Sequence, residues 1–232
     1  LVSLDAKDRL VEKTATLQQR LHQIADSHKD ARFASSLAVE DMVITDVIAR
    51  EQLNIGVFTL DTGLLHQETL DLLDNLAKTY PHLHITRFHP ITSDAARYVA
   101  ENGKFAFYES IELRRECCHI RKIEPLNRAL QGADAWLTGQ RREQSATRTE
   151  LPFAEQDKAR GIDKYNPIFD WSETDVWAYI LANNVPYNAL YHQGFPSIGC
   201  DPCTRQVKQG EDIRAGRWWW ESKDSKECGL HK

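Results

Sequence analysis

The sequence predicts an α/β protein: an open, mostly parallel, twisted sheet flanked by helices. Three observations carry this. Short apolar runs alternate with amphipathic helical stretches between residues 31 and 183. Glycine, proline or Asx turn signals follow most of those runs. Segments rich in hydroxyl, glycine and arginine side chains stand where candidate strands end. Alternating strands and helices imply parallel pairing, and ligands of such sheets bind beyond the carboxyl ends of the strands.

Taken in order, residues 8–25 place Leu10, Val11, Leu17, Leu21 and Ile24 at helical spacing. Residues 31–36 read as a short strand and 41–51 as a helix. The run GVFTL at 56–60 is a buried strand, stopped by Asp61-Thr62-Gly63. Residues 64–79 form a helix ended by Pro81; 82–88 is a strand; 93–101 is a helix closed by Gly103. A helix over 116–130 precedes a strand over 133–138, and a further strand is expected at 165–169. Residues 172–183 are a helix with Ser172 as N-cap. From about residue 187 the periodicity fades into Gly, Pro, Trp and Cys. The expected organisation is an α/β part, 1–186, and a C-terminal segment, 187–232, within one structural domain.

Composition narrows the function. At 232 residues the chain is about one domain long and buries roughly 70% of its unfolded surface without needing disulfides. Its net charge of -5 argues against a general nucleic-acid binder, which carries a basic excess. No apolar run approaches the ~20 residues that cross a bilayer. The first ten residues lack the apolar core of an export signal, so a cytoplasmic protein is expected. Five cysteines then read as reduced thiols serving a metal or catalysis.

Four of them form Cys117-Cys118 and Cys200-x-x-Cys203. A redox dithiol at Cys200/Cys203 is the weaker reading, because Pro202 lies inside it and no thioredoxin-like context precedes it. A zinc site and an iron–sulfur cluster are comparable by spacing, with buried free thiols as the bland alternative. Adjacent thiols diverge along the backbone, which suits separate iron corners better than one small ion. Cys228 stands among Lys226, His231 and Lys232. Positive neighbours raise the thiolate fraction; an inert thiol near a chain end is an even alternative.

Three segments suit anions. Ser35 and Ser36, in SSLAVED, join a strand to a helix, where free N–H groups accept a phosphate; the Walker signature is absent. Asp61-Thr62-Gly63 could approach a ligand but reads more readily as an Asx-turn. The run TGQRREQSATR, with Arg141 and Arg142, sets guanidinium forks that match phosphate or sulfate oxygens among amides and hydroxyls. Arg214 and Arg217 precede three tryptophans, a packing anchor holding a small-anion site rather than a nucleic-acid platform.

In this order the segments SSLAVED, LDTGLLHQET, ECCHIRKIEPL, TGQRREQSATR, NPIFDWSETDVWAYI, IGCDPCTR, AGRWWWE and KECGLH resemble the sulfonucleotide reductases. The likeness runs from about residue 33 to 231, and the paired cysteines are similar to those of the branch that reduces adenylyl sulfate (APS). It implies the adenine-nucleotide alpha-hydrolase-like (PP-loop) fold with a C-terminal catalytic tail. It implies a [4Fe-4S] cluster on Cys117, Cys118, Cys200 and Cys203, and Cys228 as the nucleophile. Lys122, Arg214, Arg217 and His231 match positions implicated in substrate binding; Ser35, Ser36, Asp61, Thr62, Gly63, Arg141 and Arg142 are further candidates. Two departures stand out: SSLAVED lacks the usual glycine pattern, and Leu64 stands where many relatives carry arginine.

The implied chemistry is thiolate attack on the sulfate sulfur of APS, release of AMP, and cleavage of the enzyme S-sulfocysteine by thioredoxin or a glutaredoxin-like donor. Cations must offset repulsion between thiolate and dianion. A homo-oligomer, dimer or tetramer, is expected, with no nucleic-acid or membrane partner. Alternatives are a reductase of the 3′-phosphorylated nucleotide (PAPS) or of both, a PP-loop adenylating enzyme consuming ATP, and a non-enzymatic iron–sulfur or zinc module.

Overall fold

The computed structural model describes residues 4–144 and 148–222, with side chains from residue 7 onward. Helix α1 spans Leu4–Ser27, β1 Ala31–Ala34, α2 Val39–Arg50 and β2 Ile55–Leu60. They are followed by α3 Gln67–Thr79, β3 Ile85–Phe88, α4 Thr92–Asn102, α5 Ile111–Cys118 and α6 Glu124–Ala129. Next come β4 Ala135–Leu137, β5 Ala154–Asp157, β6 Ile162–Tyr165 and α7 Glu173–Ala182. The six strands make one sheet in the order β3-β2-β1-β4-β6-β5. β1 pairs in parallel with both β2 and β4, and β4 with β6. β5 runs antiparallel to β6, at the edge. No described helix is long and apolar enough to cross a membrane.

Chain contacts divide the molecule into two interleaved compact units. The first holds Leu1–Phe58, Leu72–Ile85 and Gly132–Tyr187; the second holds Thr59–Asp71, Thr86–Gln131 and Asn188–Lys232. The C-terminal segment expected to start at 187 therefore shares its unit with two earlier stretches.

The first unit is built on β1 and β4. β4 is buried on both faces, and α2 is buried from Val39 and from Asp41 through Ile48. Burying α2 on nearly all sides buries Asp46 as well, at 0% exposure. Its carboxylate accepts from Tyr80 Oη at 2.6 Å, Tyr179 Oη at 2.8 Å and Arg50 Nε at 2.8 Å, so the polar group is satisfied. Helix α7 begins as expected. Ser172 Oγ accepts from Asp175 N at 3.1 Å, and Asp175 Oδ2 accepts from Ser172 N at 2.9 Å, a capping box. Arg9 and Lys13 of α1 close on the same Asp175.

Two expectations shift. The strand anticipated at 165–169 ends at Tyr165. Pro167 has no N–H for a ladder, and Asn166 turns its amide to Pro152 O at 3.0 Å. Strand β5 was not legible: AEQD is polar and half exposed, and pairs with β6 through a turn where Gly161 takes φ +70°. The single helix expected over 116–130 is interrupted. α5 starts at the cap Ser110, whose Oγ accepts from Leu113 N at 3.1 Å. A widened π-turn over His119–Ile123 then separates α5 from α6.

Candidate functional site

In the first unit, successive strands leave β1 in opposite directions across the sheet, to β2 on one side and β4 on the other. That reversal opens a crevice at the strand ends. Two loops border it: Ser35–Ala38 after β1, and Thr138–Arg141 after β4. Ser35 N still bonds Phe58 O at 2.9 Å, and Leu37 then turns back with φ +63°. This left-handed position ordinarily favours glycine, which explains where the missing glycine of SSLAVED would sit. Ser35 Oγ accepts from Leu37 N at 3.3 Å and Ser36 Oγ from Ala38 N at 3.4 Å.

Asp41 locks the loop. Its Oδ2 accepts from Ser36 N and Ser36 Oγ, each at 2.6 Å. Gly139 closes against its other oxygen: a Cβ there would stand 1.9 Å from Asp41 Oδ1, so only glycine fits. Burial pushes the Asp41 carboxyl up to about 7, opposed by the Ser36 and Gly139 hydrogen bonds. Glu40 makes the second tie, accepting from Arg141 Nη2 at 2.8 Å and Gln144 Nε2 at 3.0 Å. Arg141 is 2% exposed and also donates to Trp171 O at 3.3 Å. Arg142 donates to Leu151 O at 2.9 Å and lies 4.6 Å above the Phe169 ring. Both arginines thus help build the loop. Glu40 and Asp41 were not singled out in the sequence, because acids opening a helix are ordinary dipole partners.

The second unit gathers the cysteines. Cys117 and Cys118 end α5, while Cys200 and Cys203 flank a short 3₁₀ turn over Asp201–Cys203. All four are reduced and buried. Burial pushes the Cys117 thiol up to about 11, helped by Cys118 and Cys200 and opposed by Arg121. Burial likewise pushes Cys203 up to about 12, helped by Cys200 and Cys118 and opposed by Lys122 and Arg217. Each pair of thiols therefore feels the other, and cations face both.

The DTG turn braces this cluster. Gly63 takes φ +69° and its N–H donates to Asp61 Oδ1 at 3.0 Å, the Asx-turn. Thr62 Oγ1 lies 3.3 Å from Cys200 Sγ, Arg121 Nη1 donates to Thr62 O at 2.7 Å, and Asp201 N donates to Leu64 O at 2.8 Å. His66 Nδ1 reaches Asp201 at 3.2 Å, a contact with no sequence signal beyond the motif itself. The π-turn points Arg121 and Lys122 away from a regular helical spacing; such turns recur at functional sites.

Arg217 is seated by the same turn. Its Nη1 donates to Ile198 O at 3.1 Å, and a Cβ on Gly199 would stand 2.3 Å from its Nη2. Arg214 carries its N–H to Asp212 Oδ1 at 2.8 Å and is partly exposed. Two guanidiniums lie over the Trp218 ring, Arg114 at 5.0 Å and Arg217 at 4.7 Å. Its indole Nε1 is buried with no partner among the described residues. Arg114 is itself buried, paired to Glu221 by two 2.8 Å bonds, and also reaches the Cys118 thiol. Cys228 and His231, with Lys226 and Lys232, lie outside the described residues.

Among the described residues no three His, Cys, Asp or Glu side chains converge as a single metal ion requires. The four thiols do suit a larger group with one iron per corner. The surrounding Arg114, Arg121, Lys122 and Arg217 suit an anionic one, and the orphaned Trp218 N–H suits one with sulfur acceptors.

Comparison with known proteins agrees with this architecture. The phosphoadenosine phosphosulfate reductase domain matches residues 31–206. The adenosine 5′-phosphosulfate reductase of Neisseria meningitidis is 78% identical over 223 residues, covering 96% of this chain and 91% of that protein. A phosphoadenylyl-sulfate reductase from Candida auris superposes with a TM-score of 0.68 at 28% identity, covering 82% of this chain and 90% of that one. Yeast FAD synthetase shares the fold alone, with a TM-score of 0.60 at 12% identity over 88% of this chain and 69% of that one. With that sheet order, that crevice and a match spanning most of its length, the chain belongs to the phosphoadenosine phosphosulfate reductase family.

Proposed function

We propose that this chain reduces adenosine 5′-phosphosulfate to sulfite and AMP in sulfate assimilation, through an adduct on Cys228 and with a thioredoxin-type dithiol protein as reductant. The observation that carries this reading is the gathering of Cys117, Cys118, Cys200 and Cys203 with Arg121, Lys122 and Arg217. It occurs in a chain 78% identical to a protein named for that activity.

The cysteine tetrad would hold a [4Fe-4S] cluster, which supplies when bound a compact anionic iron–sulfur group in a dry pocket. This chain's own residues do the rest. The Ser35–Ala38 loop, held in shape by Asp41, borders the nucleotide phosphate. Lys122, Arg214, Arg217 and His231 hold the sulfate oxygens and offset their charge, which otherwise repels a thiolate. The Cys228 thiolate attacks sulfur, the S–O bond to the phosphate breaks, and AMP leaves. A donor thiolate next attacks Cys228 Sγ, and sulfite departs with the S–S bonding pair. The donor's second thiolate then resolves the mixed disulfide, so the dithiol supplies both electrons.

The test is anaerobic incubation with APS or PAPS, followed by intact mass and sulfite assay. APS should add one SO₃ group to the wild type and none to Cys228→Ser, which keeps its iron. Normal turnover by that variant would dismiss Cys228 as nucleophile. A kcat/KM ratio favouring PAPS would transfer the chain to the other substrate. That reading draws on the Candida auris neighbour.

A further inference from the structure

Among the described residues, Phe105, Tyr108 and Trp219 are exposed at 55%, 39% and 39%. They form one face. Tyr108 lies 6.3 Å from Phe105 and 5.9 Å from Trp219, backed by Phe107 at 4.7 Å and Trp220 at 4.5 Å. Single exposed apolar residues are ordinary, but a contiguous aromatic face marks an interaction surface. Tyr, Trp and Phe are the side chains that anchor such interfaces. The face is also preorganised. Tyr108 Oη donates to Pro202 O, within the Cys200–Cys203 turn. Buried Glu221, gripped by Arg114, fixes the chain just past Trp219 and Trp220.

Its place in the chain says what covers it. Cys228 follows Ser222 by six residues, a span of at most about 21 Å when extended. Any reductant that reaches Cys228 must therefore work within that distance of Ser222. We propose that Phe105, Tyr108 and Trp219 form the docking surface for the small dithiol protein that discharges Cys228. This rests on the Cys228 reading above. The donor's thiolate bonds to Cys228 Sγ as the bond to sulfite breaks. Its second thiolate displaces Cys228, and the donor leaves as a disulfide.

The experiment uses the S-sulfonated full chain, prepared with APS under anaerobic conditions. Sulfite release is measured against the concentration of reduced thioredoxin, and separately with dithiothreitol, which needs no docking. Phe105→Ser and Trp219→Ser should each raise the KM for thioredoxin roughly tenfold, the loss expected for a truncated aromatic anchor. Discharge by dithiothreitol should stay at the wild-type rate. An unchanged thioredoxin KM overturns the proposal, as does an equal loss with dithiothreitol, which would mean structural damage. A shift in sedimentation with unchanged KM overturns it in favour of a second copy of this chain. Failure of the underlying reading looks different: no adduct forms on the wild type, or one forms on Cys228→Ser.

Discussion

The two units handle charge in opposite ways. At the crevice of the first, each charged group meets a partner of its own chain: Arg141 closes on Glu40, and Asp41 on Ser36 and Gly139. The loop is held by its own hydrogen bonds: the N–H groups of Ser35, Ser36, Leu37 and Ala38 all donate within the protein. In the second, guanidiniums and an ammonium face thiols and an indole rather than only carboxylates. There the same buried thiols are pushed up by burial and drawn down by the cations beside them. The comparison teaches that the first unit uses its charges to fix a loop, whereas the second sets cations beside thiols.

The largest effect that could break this contrast is loss of one thiol. Cys118→Ser or Cys203→Ser should remove the iron from anaerobically purified protein and lower its melting temperature, because cluster binding is folding energy. Stoichiometric zinc without iron in wild-type protein, made with iron in excess, would overturn the cluster.

Arg114→Met comes next. It leaves Glu221 buried without its cation and should cost about 3–5 kcal/mol in denaturant unfolding. A loss below about 1 kcal/mol would mean water reaches Glu221 and the second unit is looser than drawn.

The first unit carries a pH dependence of comparable size. Burial raises the Asp41 carboxyl to about 7, so the folded chain keeps a proton that the unfolded chain has already lost. Its stabilisation is complete below about pH 4 and disappears as the pH rises through about 7, roughly 4 kcal/mol in all. Wild type should therefore lose stability relative to Asp41→Asn between pH 5 and 8 in urea titrations. Parallel curves would refute the protonated carboxyl.

Smaller effects sharpen the comparison. Arg214→Ala or Arg217→Ala should cost 1–3 kcal/mol in kcat/KM for APS, about the loss of a charge-assisted hydrogen bond; wild-type kinetics in the double variant would exclude both from the substrate. Arg142→Ala, which loses Leu151 O and the Phe169 ring, should cost only about 1 kcal/mol of stability. AMP affinity should be unchanged, and a clear loss of it would return Arg142 to the nucleotide.

Much of the fold was legible because its elements are local. The period of Leu17, Leu21 and Ile24 carries α1, GVFTL carries β2, and Ser172 as N-cap carries the start of α7. Strand β5 was hidden because an edge strand with one polar face needs no apolar alternation. The break in the 116–130 helix was hidden too: HIRKI has ordinary helical composition, so nothing local announces the wider turn.

The order of motifs along the chain determined the family, the sheet class and which cysteines lie near one another, since these depend on spacing and local pattern. It did not determine which charges neutralise one another. Arg141 looked like an anion ligand, yet it is closed on Glu40. Pairing of this kind depends on distance in space, and Glu40 and Arg141 are 101 residues apart in sequence. The same holds for Asp41: a carboxylate opening a helix is ordinary, and only its enclosure by Ser36 and Gly139 removes the water that would keep its pKa low.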